Sequence, residues 1–344
     1  MSDTLTAPPL TAKDFTTDQE VRWCPGCGDY SILAQVQKVM PTIGVPKENI
    51  VIISGIGCSS RFPYYMNTYG MHSIHGRATA IASGLKATRP ELSVWIVTGD
   101  GDSLSIGGNH TIHLLRRNFD VNVLMFNNQI YGLTKGQYSP TSEKNKVTKS
   151  TPFGSLDHPF NPLALAMGAD ATFIARSMDR DPKHLQEMLK RSHAHHGASF
   201  LEIYQNCNIF NDGAFEIFTE KSSKPQEVLF MDQGRPLIFG ANQEKGIRLD
   251  GFKPVVVNLN EGFSADDLWV HDEQDFYKAQ ILVRMFDDPR IEGHLPRPFG
   301  VFYKGDRPCY EDTLNLQIEE VISSKGTPDL DKLLRGRETW EILA

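Results

Sequence analysis

The sequence lacks the features of membrane-embedded and secreted proteins. Its 344 residues include no apolar run near the roughly eighteen residues that a membrane helix requires. The first fifteen residues are polar and contain several Thr and Pro, without the apolar core of a signal peptide. These absences predict a cytoplasmic protein with no membrane partner.

Basic stretches and cysteines are also scarce. The net charge is −7 at pH 7 and no long basic run is present, which argues against a nucleic-acid partner. Only 5 cysteines occur, too few for a disulfide-stapled scaffold of this length. We therefore interpret the cysteines as ligands or reactive groups. The length suffices for one large domain or two smaller ones with a sizeable core.

What the sequence does contain is an alternation of short apolar runs and helix-like segments. The predicted strands cover residues 50–54, 94–97, 121–126, 171–175 and 200–204, and the predicted helices cover residues 30–40, 76–88, 107–117 and 183–195. This alternation predicts an α/β fold with a doubly wound, mostly parallel sheet. Beyond about residue 212 the alternation fades. We expect an α/β domain over residues 1–215 and a C-terminal extension over residues 216–344 that packs on the core or on a partner subunit.

Two polar motifs stand where predicted strands end. A Gly-Asp-Gly-Asp motif at residues 99–102 follows one apolar run, and an Asn-Asn pair at residues 127–128 ends the next. Ligands of open α/β sheets bind outside the carboxyl ends of the strands, so Asp100 and Asn128 are expected to face one crevice. Together with a main-chain carbonyl near Ile130 they offer the hard oxygen ligands that Mg²⁺ prefers. Because glycines let the backbone approach phosphates closely, we predict a magnesium–diphosphate site.

Four cysteines occupy positions that suit a shared site. Cys24 and Cys27 form a Cys-Pro-Gly-Cys turn before a predicted helix, with Asp29 as its expected N-cap, and Cys58 and Cys207 each follow a predicted strand. The turn alone fits a redox dithiol, although no strand precedes it as in thioredoxin-type motifs. It also fits half of a zinc site or of an iron–sulfur site, each of which needs two more ligands. Cys58 and Cys207, which follow predicted strands, are the candidates for these two further ligands. The alternative is that they are free structural thiols.

The two sets of motifs together resemble the β subunits of 2-oxoacid:ferredoxin oxidoreductases. The Gly-Asp-Gly and Asn-Asn motifs, at this spacing, are similar to the signature of thiamine-diphosphate enzymes, and the four cysteines appear in that family's order. The similarity runs from about residue 18 to residue 212. The segments at residues 18–29 and 75–78 look like the branch that uses 2-oxoglutarate.

This resemblance implies a reaction, a set of cofactors and several partners. The reaction is the coenzyme A-dependent oxidative decarboxylation of 2-oxoglutarate to succinyl-coenzyme A and CO₂, with reduction of ferredoxin. The cofactors are thiamine diphosphate, magnesium and one 4Fe-4S cluster. A separate α subunit would complete the active site, in a dimer of αβ heterodimers, and the chain alone would be inactive. The alternatives are the same chemistry on pyruvate or a branched-chain 2-oxoacid, a non-oxidative thiamine-dependent decarboxylase, and a non-catalytic zinc or iron–sulfur module.

The resemblance also implies roles for individual residues. Magnesium would be held by Asp100, Asn128 and the main chain of Ile130, and the cluster by Cys24, Cys27, Cys58 and Cys207. The residues expected to line thiamine diphosphate are Ile56, Gly57, Cys58, Ser59, His75, Gly76, Arg77, Ala78, Gly101, Asp102, Gly132 and Leu133. Two residues would be catalytic. Lys135 would lie near the oxoacid and coenzyme A, or else be a solvated loop lysine. His75 would hydrogen-bond the diphosphate, or else be satisfied by neighbouring backbone.

Overall fold

The fold is known from a computed structural model that describes residues 9–286, 294–340 and 342. Its strands are β1 (Ile50–Ser54), β2 (Tyr69–His72), β3 (Ser93–Gly99), β4 (Val121–Asn127), β5 (Phe173–Met178), β6 (Ala198–Tyr204), β7 (Val228–Met231), β8 (Ile238–Phe239), β9 (Lys245–Asp250), β10 (Lys253–Asn258) and β11 (Arg297–Lys304). Its α-helices are α1 (Asp29–Val39), α2 (Phe62–Tyr65), α3 (Ala78–Thr88), α4 (Gly108–Arg117), α5 (Pro162–Gly168), α6 (Pro182–Ala194), α7 (Glu216–Thr219), α8 (Lys224–Glu227), α9 (Phe276–Leu282), α10 (Tyr310–Lys325) and α11 (Leu330–Arg335). Within the described residues, no helix is long and apolar enough to cross a membrane.

Eight strands form the main sheet, in the order β2-β1-β3-β4-β6-β5-β11-β7. Neighbouring strands are parallel except where β11 runs antiparallel to β5. The predicted mostly parallel sheet is confirmed. The C-terminal part of the chain packs on this core by adding β7 and β11 to its edge, and it also forms a separate three-stranded antiparallel sheet of β8, β9 and β10.

Both faces of the sheet are covered, which explains the unbroken apolar runs of the central strands. Along β3, Val94 and Ile96 pack into a core with α3, α4, α5 and α9. The alternate residues Trp95 and Val97 pack into a second core with α1 and α6. Since successive side chains of a strand point to opposite faces, the sheet is doubly wound.

The start of α1 differs from the sequence prediction. Gly28 is the N-cap, and Asp29 is the first helical residue, buried rather than capping the helix. The Gly28 backbone lies so close to Asp179 that a Cβ at this position would sit 1.9 Å from Asp179 Oδ2. The chain therefore needs glycine here, and Asp29 is carried inward toward the strand ends.

The end of β3 leads directly into the part of the chain that forms the site. Residues Asp102–Ile106 form a π-helical turn before α4 begins. Such turns are rare and occur frequently at functional sites. This turn brings the motif at residues 99–102 to the carboxyl edge of the sheet.

Candidate active site

A cavity opens at the carboxyl ends of the neighbouring parallel strands β1, β3 and β4. It is lined by Asp29, Ile56, Gly57, Cys58, Ser59, His75, Gly99, Asp100, Gly101, Asp102, Phe126, Asn128, Ile130, Tyr131, Gly132, Leu133 and Thr134. The structure thus brings most of the predicted cofactor and magnesium residues to one place.

Asp100 and Asn128 present oxygen atoms at this cavity. Asp100 is buried, and its Oδ2 accepts hydrogen bonds from Ser139 Oγ at 2.5 Å and Thr141 Oγ1 at 2.6 Å. Burial raises the pKa of Asp100 to about 6, and these two hydrogen bonds oppose the rise. The Asn128 Oδ1 accepts the Ile130 N–H at 3.2 Å, which fixes the turn after β4. A carboxylate and an amide oxygen in a desolvated pocket are suited to a bound divalent cation.

Asp102 holds the loops around the cavity together. Its Oδ1 accepts the N–H groups of Ile56 at 3.1 Å and Gly76 at 2.7 Å, and its Oδ2 accepts the Thr98 hydroxyl at 2.7 Å. The His75 Nδ1 lies 2.6 Å from the same Oδ1. The carboxylate of Asp102 is therefore engaged within the protein, and His75 keeps Nε2 as the ring nitrogen that does not face it.

Two glycines allow close approach of the backbone. A Cβ at Gly101 would lie 2.2 Å from the Tyr131 ring, whose hydroxyl donates to the Gly101 carbonyl at 3.1 Å. Gly76 has a positive φ of +69°, and a Cβ there would lie 2.5 Å from the Gly107 nitrogen. Glycine adopts such a φ at little cost, so the sequence meets a steric requirement at both positions.

The four predicted cluster cysteines lie beside the cavity. A Cβ at Gly132 would sit 3.5 Å from Cys207 Sγ and 3.6 Å from Cys58 Sγ. Burial raises the pKa of Cys58 to about 12, and the neighbouring Cys207 and Cys24 add to the rise. Burial also raises the pKa of Cys27, which lies near Cys58 and Cys207. Because burial disfavours a thiolate that lacks a countercharge, this group of sulfurs is suited to a metal centre.

Hydrogen bonds between loops bring these distant cysteines together. The Trp23 indole N–H donates to the Cys58 carbonyl at 2.7 Å, and the Asn208 side-chain amide donates to the Pro25 carbonyl at 2.7 Å. The loops after β1 and β6 are thereby fastened to the Cys-Pro-Gly-Cys turn.

Four residues predicted to bind the cofactor or to be catalytic do not line the cavity, namely Gly76, Arg77, Ala78 and Lys135. Lys135 has an exposed side chain on the turn beyond Thr134 and a left-handed backbone with φ of +77°. The Arg77 guanidinium donates to the carbonyl of Ile106 at 3.4 Å, and Ala78 is buried in the core at the start of α3. Arg77 and Ala78 stand where α3 begins and are not among the residues that line this cavity, so their contact with the cofactor stays a prediction.

Sequence reasoning missed several residues of the site. Tyr131 and Phe126 line the cavity, and Ser139 and Thr141 bind Asp100. The hydroxyl-rich Ser-Pro-Thr-Ser segment at residues 139–142 was a visible signal. Its partner lies about forty residues earlier in the chain, so no local pattern connects the two.

Comparisons with known proteins agree with this geometry. Residues 55–203 match the family model of the thiamine pyrophosphate enzyme, C-terminal TPP binding domain. The chain is 52% identical over 338 residues to 2-oxoglutarate oxidoreductase subunit KorB of Mycobacterium tuberculosis, a match that covers 97% of this chain and 89% of that protein. It is 46% identical over 198 residues to the β subunit of 2-oxoacid:ferredoxin oxidoreductase 1 of Aeropyrum pernix, covering 58% of this chain and 62% of that one.

A solved structure is also similar over nearly the whole chain. It is the 2-oxoglutarate:ferredoxin oxidoreductase from Magnetococcus marinus with 2-oxoglutarate, coenzyme A and succinyl-CoA bound. The TM-score is 0.75 at 32% sequence identity, covering 96% of this chain and 97% of that chain.

The doubly wound sheet and the cavity at its carboxyl edge define a thiamine-diphosphate-binding α/β protein. Within that class, the chain belongs to the β subunits of the 2-oxoacid:ferredoxin oxidoreductases. The predicted fold class and the predicted family are both confirmed.

Proposed function

We propose that this chain is the β subunit of a 2-oxoglutarate:ferredoxin oxidoreductase. The complete enzyme would convert 2-oxoglutarate, with coenzyme A, to succinyl-coenzyme A and CO₂ and pass the electrons to ferredoxin. The observation that carries the proposal is the single cavity that Asp100, Asn128 and Cys58 share at the carboxyl edge of the sheet. The names of the Mycobacterium tuberculosis relative and the Magnetococcus marinus structure favour 2-oxoglutarate over pyruvate and branched-chain 2-oxoacids.

The cavity fits a magnesium-bound diphosphate. Asp100, Asn128 and the main chain of Ile130 would hold the ion, and Gly101, against which the Tyr131 ring packs, lines the same cavity. When bound, thiamine diphosphate supplies the electron sink that decarboxylation of a 2-oxoacid requires. The chain itself binds and orients that cofactor, and His75 offers Nε2 as a hydrogen-bonding partner for the diphosphate.

The electron-transfer chemistry of the family supports a 4Fe-4S cluster rather than a zinc ion. Cys24, Cys27, Cys58 and Cys207 offer four thiols beside the cavity, and four thiolates can hold either group. The relatives are named for a reaction with ferredoxin, which accepts electrons. A 4Fe-4S cluster exchanges single electrons, which zinc does not.

Partner proteins complete the proposal. The relatives are named as subunits, which supports a separate α subunit that completes the active site, in a dimer of αβ heterodimers. The exposed Lys135, next to the cavity residue Thr134, would then meet the oxoacid and coenzyme A at the subunit interface. All five cysteines are unpaired, as expected in the reducing cytoplasm where we place the enzyme.

The substrate is tested with the complex of this chain and its α subunit, purified without oxygen. We expect 2-oxoglutarate to support coenzyme A-dependent ferredoxin reduction at a higher kcat/KM than pyruvate or a branched-chain 2-oxoacid. A preference for pyruvate would overturn the substrate assignment. Release of CO₂ without ferredoxin reduction would favour a non-oxidative decarboxylase.

The two proposed metal sites are tested separately in the same complex. Asp100→Ala should lose thiamine diphosphate and magnesium while it keeps its iron. Cys207→Ser should lose iron while it keeps thiamine diphosphate. Undiminished cofactor affinity in the first variant would rule out the magnesium–diphosphate site at Asp100, and a full iron content in the second would remove Cys207 from the ligand set.

A further inference from the structure

A row of buried polar side chains crosses the sheet beside the proposed magnesium site. Arg176 of β5 and Glu202 of β6 are register partners, and Arg176 Nε donates to Glu202 Oε2 at 2.6 Å. The other carboxylate oxygen of Glu202 accepts Nδ2 of Asn127, the last residue of β4, at 2.8 Å. The Thr141 hydroxyl has one proton, which it shares between Asn127 Oδ1 at 2.9 Å and Asp100 Oδ2 at 2.6 Å. The row therefore runs without a gap from β5 to the end of β3.

Stability alone does not account for the ion pair in this row. Arg176 and Glu202 are only 2% and 1% exposed. Buried ion pairs pay a desolvation cost that offsets most of their mutual attraction, and hydrophobic replacements of similar volume are often no less stable. The documented use of such groups is to specify one arrangement among several.

The arrangement that Glu202 specifies is the orientation of the Asn127 amide. A carboxylate only accepts hydrogen bonds, whereas an amide has a donor end and an acceptor end. Glu202 therefore binds the donor end, Nδ2, and the acceptor end, Oδ1, faces Thr141. Reversing the amide would set its oxygen against the carboxylate.

This orientation has consequences for both proposed magnesium ligands. The Asn127 Oδ1 accepts the Gln129 N–H at 3.2 Å, which shapes the turn that carries Asn128. It also contacts the Thr141 hydroxyl, which binds one oxygen of Asp100. Because these hydrogen bonds engage Oδ2 of Asp100, Oδ1 would be the oxygen left to bind the ion.

We propose that Glu202, paired with Arg176, is a positioning residue for the magnesium–diphosphate site and acts through Asn127 and Thr141. β6 lies two strand spacings from β3, about 10 Å at about 4.8 Å per strand, so Glu202 would act on the ion through this row rather than by binding it. The inference rests on the proposed magnesium site at Asp100. Partners of metal ligands typically change metal affinity 10- to 100-fold when substituted, and we expect this range for Glu202→Gln.

The test uses the complex with the α subunit and Mn²⁺ as a spectroscopic probe for Mg²⁺. Free Mn²⁺ is titrated by electron paramagnetic resonance in the presence of thiamine diphosphate. We expect 10- to 100-fold weaker Mn²⁺ binding in both Glu202→Gln and Thr141→Val. The double variant should bind no more weakly than the weaker single variant, because both changes break the same row. The matched control is Glu273→Gln, which alters a buried glutamate that pairs with Arg191 outside the row and should leave Mn²⁺ affinity unchanged.

The outcomes separate the hypothesis that Glu202 is a positioning residue from the hypothesis that Asp100 belongs to a magnesium site. Unchanged affinity in Glu202→Gln, or losses that multiply in the double variant, would overturn the positioning role. If Asp100→Ala also retains Mn²⁺, the proposal of a magnesium site at Asp100 is wrong. If Asp100→Ala loses Mn²⁺ while Glu202→Gln does not, only the positioning role fails.

A second pair of variants tests the proposal if the Glu202→Gln protein does not fold. Asn127→Ala and Thr141→Val interrupt the row in its middle. Both side chains also border a cavity of about 660 Å³, so these substitutions change a cavity wall and not a closely packed core. We expect the same loss of Mn²⁺ affinity in each, with no further loss when they are combined, and wild-type affinity in both would overturn the proposal.

Discussion

Replacing Gly101 with alanine tests how tightly the cavity wall is packed. The backbone at Gly101 has φ of −66° and ψ of −39°, which alanine adopts without strain. The obstacle is space, because the new Cβ would lie 2.2 Å from Cε1 and 2.5 Å from Cζ of Tyr131. Carbon atoms pack at about 3.5–4.0 Å, so the ring must move by more than about 1 Å.

The cost of this movement follows from what Tyr131 contacts. Its hydroxyl donates to the Gly101 carbonyl at 3.1 Å, and its backbone N–H donates to the Gln137 carbonyl at 2.9 Å, which pins the turn after Asn128. Overpacking of this kind typically costs about 1–3 kcal/mol. If that cost is expressed in the bound state, the affinity for thiamine diphosphate falls by about 5- to 150-fold.

The assay is a thiamine diphosphate titration of the assembled complex at saturating Mg²⁺, followed by near-ultraviolet circular dichroism. The control is Gly84→Ala, because Gly84 is exposed within α3 and a Cβ there meets nothing within 4 Å. We expect the control to keep its cofactor affinity and to gain about 0.5–1 kcal/mol in unfolding free energy. A Gly101→Ala complex with wild-type affinity would refute the argument that the Tyr131 ring fixes this wall.

Two further predictions concern protonation and cysteine reactivity. Burial lowers the pKa of His195, which contacts the Thr172 hydroxyl at 2.7 Å, to about 4. The unfolded chain takes up this proton below about pH 6.5, so the unfolding free energy should fall between about pH 6.5 and pH 4, by about 2–3 kcal/mol from this group. Urea unfolding at pH 7 and pH 4.5 should show a smaller difference in His195→Gln, and an equal difference would contradict the assignment. In the iron-free chain, iodoacetamide at pH 8 should modify the exposed Cys24 well before Cys58, whose pKa is raised to about 12, since the thiolate is the nucleophile. Peptide mass spectrometry measures both rates, and equal rates would contradict the burial argument.

The central strands were predictable because they obey a local rule. The run at residues 50–54 has the bounds of β1, and the run at residues 121–126 falls one residue short of β4. Parallel strands that are covered on both faces require continuous apolar residues, and that requirement is visible along the chain. β7 and β11 escaped prediction because β7 has only four residues and because Pro298 and Gly300 interrupt the apolar run of β11.

The residues of the candidate site likewise fall into those that a local pattern predicts and those that it does not. Asp100 and Asn128 could be found because each directly follows a strand, and parallel strands bring such positions to one edge. Ser139 and Thr141 could not be found, since their contact with Asp100 depends on the path of a loop about forty residues later. Lys135 lies in the turn after Asn128, close in sequence to the residues that line the cavity, yet its side chain is exposed.

The class of fold, the central strands and the kinds of ligand atom at their ends could be predicted from the sequence alone. These follow from periodicity and from chemical identity, which are properties of neighbouring residues. Which distant groups meet depends on the tertiary structure, which places Cys58 and Cys207 beside Gly132 and forms the row from Arg176 to Asp100. Such contacts are set by the packing of the whole chain, because buried polar groups must find partners wherever the fold places them.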